Sequence, residues 1–171
     1  MIYLKDFDRI LVRYTKIDWN RLFQDEKLSE EVLEKYSKEI DWELVSRYQS
    51  LTESFISKHY NDVCWRNISV YQILSESFID KYENKVDWAS ICRNQILSEA
   101  FIEKHQDDVF WRAICQSQKL SEEFIEKHIN KVSWKLVSKH QKLSEGFIEK
   151  HQKKVVWYAI SKYQILSESF M

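Results

Sequence analysis

The chain has no proline, one glycine (Gly146) and three cysteines in 171 residues. Proline and glycine punctuate strand-and-turn folds, so their scarcity excludes a hairpin-rich sheet protein and points to helices throughout. Cys64, Cys92 and Cys115 are odd in number and form no close CxxC pair. That sets aside a disulfide framework and fits a reducing intracellular, cytoplasmic setting. No apolar run approaches the roughly 18 residues of a membrane helix, and no signal-type apolar core opens the chain. Net charge is also missing: at −1 there is no overall pull toward nucleic acid or an anionic membrane. A Gly-rich phosphate loop, an HExxH motif and a nucleophile elbow are absent too. The expectation is a protein that is not an enzyme and carries no cofactor and no metal.

What the chain has is a period. Its seven tryptophans, Trp19, Trp42, Trp65, Trp88, Trp111, Trp134 and Trp157, stand 23 residues apart, and Leu28, Leu51, Leu74, Leu97, Leu120, Leu143 and Leu166 keep the same step. A fixed period of 20 to 50 residues marks a repeat architecture. The fullest copy runs Leu120-Ser121-Glu122-Glu123-Phe124-Ile125-Glu126-Lys127-His128, then Val132, Trp134, Val137, Ser138, His140 and Gln141. Tandem repeats are expected over 28–171, as 28–50, 51–73, 74–96, 97–119, 120–142, 143–165 and a stub at 166–171. Residues 1–27 read as a capping helix and a degenerate first half-repeat, with Tyr3, Leu4, Phe7, Ile10, Leu11 and Tyr14 at helical spacing.

Each copy writes two helix starts. Ser121 followed by Glu122 and Glu123 suits an N-cap with carboxylates at the positive end of the helix dipole. Leu120 and Ile125 have the spacing of a hydrophobic staple. Ser133 precedes Trp134 in the same way, but Cys64, Phe110 and Val156 fill that slot elsewhere, so the second cap is the weaker. Two helices of about nine or ten residues per copy are expected. Alone they are marginal in water, so stability rests on a seam built around Trp42, Trp65, Trp88, Trp111, Trp134 and Trp157. The fold class is all-α, an α-solenoid of short helix-turn-helix repeats.

The polar residues that recur in every copy read as structural. His59, His105, His128 and His151 share a position with Tyr36 and Tyr82, which selects a flat ring with a polar tip and not a metal ligand. Cys92 and Cys115 stand where other copies have serine, as small residues at a helix crossing. The glutamine ladder, Gln49, Gln72, Gln95, Gln118, Gln141 and Gln164, is expected to close the carboxyl end of its own helix against the next leucine. The competing reading is a surface row of amides that reads a polymer one unit per repeat.

Function must then lie where copies disagree. Tyr60, Phe110, Ile129 and Tyr158 are apolar at positions the fold does not require, and are the candidate partner-binding residues. Residues 1–118 carry 16 basic and 21 acidic side chains, whereas 119–163 carry ten lysines and five glutamates. Lys131, Lys135, Lys139 and Lys142 follow helical spacing, and with Lys153 and Lys154 they form the candidate anion-binding set.

The unit Leu-Ser-Glu-Glu-Phe-Ile-Glu-Lys-His-x-x-Lys-Val-x-Trp resembles tandem arrays in uncharacterised proteins of large DNA viruses and bacteriophages. The resemblance covers 28–171 and implies a viral or phage origin and a helical scaffold, with no catalytic residues to carry over. The functional expectation is a non-enzymatic scaffold that binds a macromolecular partner, foremost a host defence or regulatory protein that it inhibits. The alternatives are a nucleic-acid-binding solenoid using the lysine-rich third, and a structural module that self-associates as a weak homodimer through its C-terminal end.

Overall fold

The computed structural model describes residues 1–11 and 18–170. Outside that description lie Tyr14 of the expected cap, the stub residue Met171, and the side chains of Asp8, Arg9, Ile10, Leu11 and Asn20. The described residues are all-α, a repeat solenoid of short helix pairs at the 23-residue spacing. Besides helices they hold one isolated parallel bridge, between Ile2 and Leu28.

The chain divides into two compact units, Met1–Asp87 and Trp88–Met171. The first holds α1 (Leu4–Leu11), α2 (Trp19–Asp25), α3 (Glu30–Lys35), α4 (Trp42–Tyr48), α5 (Glu53–Lys58), α6 (Trp65–Tyr71) and α7 (Glu76–Lys81). The second holds α8 (Trp88–Asn94), α9 (Glu99–Lys104), α10 (Trp111–Ser117), α11 (Glu122–Lys127), α12 (Trp134–His140), α13 (Glu145–Lys150) and α14 (Trp157–Tyr163).

Helix starts follow the serines and aspartates. Ser121 Oγ accepts from Phe124 N at 3.1 Å and Ser144 Oγ from Phe147 N at 3.2 Å. Asp41 caps α4 through Glu43 N, whereas Cys64, Phe110, Ser133 and Val156 make no side-chain cap. The helices are shorter than their spacing predicts, six or seven residues each after α1. The reason is local. His128 leaves helical geometry at φ −106°, ψ 31°, and its carbonyl then accepts from Lys131 N and Val132 N in one further turn. No described residue has a positive φ, so no helix ends in the left-handed cap that glycine provides. The near-absence of glycine therefore leaves every carboxyl end to be closed by other means.

The core lies between successive repeats. Phe124, Ile125, Val132, Val137 and Leu143 are buried, and so are most of their counterparts along the chain, with Leu51 and Leu166 among the half-buried exceptions. Each such side chain contributes about 1.5–3 kcal/mol relative to leaving it exposed, which is what holds helices too short to stand alone. Trp-bearing helices are neighbours, α2–α4–α6 in the first unit and α8–α10–α12–α14 in the second. Trp111 stacks on Phe124 (6.2 Å) and meets the tilted ring of His128 (4.9 Å) in the following repeat, and Trp134 does the same with Phe147 and His151. At the first seam Val32 stands where the consensus has phenylalanine. There Phe7 of α1 supplies the ring, stacking on Trp19 at 5.8 Å and meeting Tyr36 edge-on at 5.4 Å.

Candidate functional site

The recurring polar side chains are consumed inside the seams. Gln118 Oε1 accepts from Leu97 N at 3.0 Å, and its Nε2 donates to the carbonyls of Cys92 and Gln95. Gln141 repeats this with Leu120, Cys115 and Gln118, and Gln72 with Leu51, Ser46 and Gln49. The expected closure of the amide on its own helix is thus corrected. Gln49, Gln72, Gln118, Gln141 and Gln164 each seal the helix end of the repeat before them and the leucine 21 positions upstream. A helix end without a glycine cap needs an outside donor, and the neighbouring repeat brings one. The buried amides also remove the surface row that would read a polymer one unit per repeat.

Two more ladders run alongside. Ser46 and Ser138 accept from the backbone N–H of Cys64 and Val156, each at 3.0 Å; Cys115 Sγ accepts from Ser133 N at 3.4 Å. The weak second cap is thereby reinforced from the preceding repeat, and serine and thiol do the same work. Burial pushes the Cys115 thiol pKa up, which is the opposite of an activated nucleophile. The third-position glutamates latch onto the next cap: Glu99 accepts from Ser121 Oγ at 3.0 Å and Glu122 from Ser144 Oγ at 3.1 Å. They act between repeats as well as on the helix dipole.

His59, His105, His128 and His151 lie between rings, buried. His59 meets Glu34 at 2.8 Å and Asp62 at 3.3 Å. His128 Nε2 and His151 Nε2 have no hydrogen-bond partner among the described residues. They stop 4.0 Å from Glu103 and 3.8 Å from Glu126, carboxylates that Lys127 and Lys150 hold more closely. Those lysine hydrogen bonds lower the Glu103 and Glu126 pKa values, while burial lowers that of His128. No group of three His, Cys, Asp or Glu among the described residues is arranged to hold a metal.

The four candidate partner-binding residues occupy different places in their repeats. Tyr60 and Ile129 sit on the turn after the first helix of their repeats, and Phe110 occupies the N-cap of α10. Tyr60 and Phe110 are exposed, Ile129 is half-buried, and Tyr158 stands on the outer side of α14, 71% exposed. Three of the four therefore mark the connector between the two helices of a repeat, and Tyr158 belongs to another surface.

The candidate anion-binding lysines are divided too. Lys131 precedes α12, pairs with Asp107 at 3.1 Å and lies over the Trp111 ring. Lys154 lies over Trp134. Only Lys135 and Lys139 are on α12 itself, with Lys142 in the connector that follows and Lys153 in the turn after α13. The single helical edge suggested by spacing of four, four and three is not formed, because the helix starts at Trp134.

Charge is sorted instead by helix type, which the sum along the chain conceals. In the second unit the Phe-bearing helices α9, α11 and α13 carry seven glutamates against three lysines. The Trp-bearing helices α8, α10, α12 and α14 carry Arg93, Arg112, Lys135, Lys139 and Lys162 and no carboxylate. All five cations are exposed, at the second or sixth residue of their helices. Tyr163, 44% exposed, has Lys139 and Lys162 each 5.4 Å from its ring centroid, and Lys162 also lies over Tyr158. The first unit carries the same device, with Arg47 over Tyr48 and Tyr71.

With protein-family models, curated proteins and solved structures alike, comparison found no match.

Proposed function

We propose that the chain is a non-enzymatic repeat scaffold that binds another protein along the connectors between its paired helices. The observation that carries this is Phe110. The residue is 52% exposed in a cap slot where an aspartate, as Asp41 does at α4, would stabilise the helix by about 1 kcal/mol, so capping does not account for it. Tyr60 presents a second exposed ring on the connector of its own repeat, while the recurring side chains are occupied in the seams. The likeness of the unit to viral and phage arrays makes a host defence or regulatory protein the natural class of partner, with inhibition as the outcome. The test is capture from nuclease-treated host lysate, then titration of the purified captured protein. Phe110→Ser should weaken that binding about tenfold with melting unchanged. Capture that vanishes on nuclease treatment would overturn the reading.

A second reading, weak self-association through 143–171, is favoured by Trp157. It is half exposed, whereas Trp111 and Trp134 are more deeply packed. Phe170→Asp should shift any dimer toward monomer in sedimentation equilibrium, and a strictly monomeric wild type would refute it.

A further inference from the structure

We propose that the outer face of the Trp-bearing helices of the second unit binds single-stranded nucleic acid. The proposal is independent of the connector reading, since it uses a different surface and a different chemistry.

Four neighbouring helices present Arg93, Arg112, Lys135, Lys139 and Lys162 with no Asp or Glu among them. Neighbouring helix axes lie about 8–10 Å apart, so the cations recur as a positively charged track. Lys135 carries no ion pair among the described residues and is exposed. Lys139 and Lys162 face tyrosine rings and no carboxylate. None is therefore neutralised in the way Lys131 is by Asp107. Phosphate neutralisation by such groups supplies sequence-independent affinity and makes it depend on salt.

The tyrosines separate single strands from other anions. Tyr158 and Tyr163 expose aromatic surface among ammonium groups 5.4 to 5.7 Å from their centroids. An exposed ring beside a cation offers a base something to stack on while its phosphate is held nearby. A duplex keeps its base faces covered, and an acidic peptide has none. Tyr163 is also served by two helices at once, Lys139 from α12 and Lys162 from α14, so the pairing is set by helix packing. The first unit repeats the chemistry: Tyr71, with Arg47 5.4 Å from its ring, lines a shallow cleft with Lys27, Gln72 and Ile73. The buried glutamines offer no bases a hydrogen-bonding code, so recognition here is by charge and stacking alone.

Fluorescence anisotropy with the full chain tests this, using labelled oligothymidylate of about twenty nucleotides, the matching duplex, and a polyglutamate peptide. Oligothymidylate should bind at low salt, with log affinity falling by about 0.7 per phosphate contact for each unit of log salt. Lys139→Glu with Lys162→Glu should weaken it tenfold or more and flatten that slope. Tyr163→Ala should weaken it roughly fivefold or more with the slope unchanged, the signature of stacking. These side chains are exposed, so circular dichroism and melting should match wild type. Phe110→Ser should leave this binding intact, which keeps its failure distinct from that of the connector reading. Equal binding of the duplex or of polyglutamate, an unaltered Tyr163→Ala variant, or no binding at low salt would overturn the proposal.

Discussion

Gln141 Nε2 donates to the main-chain carbonyl of Gln118 at 2.8 Å, while its Oε1 accepts from Leu120 N at 2.9 Å. One amide thus binds a helix end and the start of the following segment, both from residues about one period upstream. Gln141→Ala would leave these buried backbone groups without partners, at about 1–3 kcal/mol each before relaxation. A loss of roughly 3 kcal/mol is expected in urea unfolding, far beyond what an exposed glutamine such as Gln116 would cost. A change below about 0.5 kcal/mol would show that water replaces the amide.

Trp111→Ala should cost roughly 3–5 kcal/mol, because the indole packs on Phe124 and His128 and donates from Nε1 to the Gln106 carbonyl. His151→Tyr should be nearly silent. Tyr82 already occupies the equivalent place, 4.8 Å from both Trp65 and Phe78, and His151 Nε2 has no hydrogen bond to lose. Thermal melting of the two variants side by side gives the comparison, and equal losses would contradict it.

Acid should weaken the fold in two stages. Burial depresses the His128 pKa, assisted by Lys127 and Lys131 and opposed by Glu103. The native state then binds fewer protons than the unfolded chain, so stability falls as pH drops below about 6.5 toward the native value. Glu34, Glu103 and Glu126, held low by hydrogen bonds from Lys58, Lys127 and Lys150, add a second loss below about pH 4.3. Urea midpoints read across the first window should fall less steeply in His128→Tyr than in wild type. A wild-type midpoint that rises on acidification would reverse the sign and reject the account.

Cys115→Ser should be tolerated within about 1 kcal/mol, whereas Cys115→Ala should cost more by leaving Ser133 N unpartnered. The difference rests on the 3.4 Å contact from Ser133 N and on Ser138 performing the same task for Val156. Alkylation kinetics offer a second reading: Cys64, half-buried, should react well before Cys92 or Cys115. The reverse order would mean the seam opens readily.

The tryptophan and leucine period, with a Ser-Glu cap in nearly every copy, made the all-α repeat legible from the chain alone. Helix length was not, because the turn that follows His128 uses residues with ordinary helical propensity. The glutamines could be read as structural but not assigned to the right neighbour, since a strict period places each one equally well against the repeat before or after it. Lys131 illustrates the limit at the surface. Its spacing from Lys135 is helical, yet Asp107, 24 residues upstream, takes it. The sorting of charge by helix type was present in the sequence all along, in the glutamates near Phe101, Phe124 and Phe147 and the cations at Arg112, Lys135 and Lys139. It emerges only when equivalent positions are summed across copies.

The amide ladder has a consequence for inheritance. Its partners lie 21, 23 and 26 residues upstream in every copy where it forms, so any unit can follow any other. Recombination that removes or duplicates one whole unit recreates a junction identical in kind to those already there. A slip of a single residue instead sets the amide against the wrong backbone groups and orphans three of them. The glutamine serves as a ruler: gene rearrangements that keep whole units should fold, those that break the register should not, and the variable side chains can be shuffled among copies on the same terms.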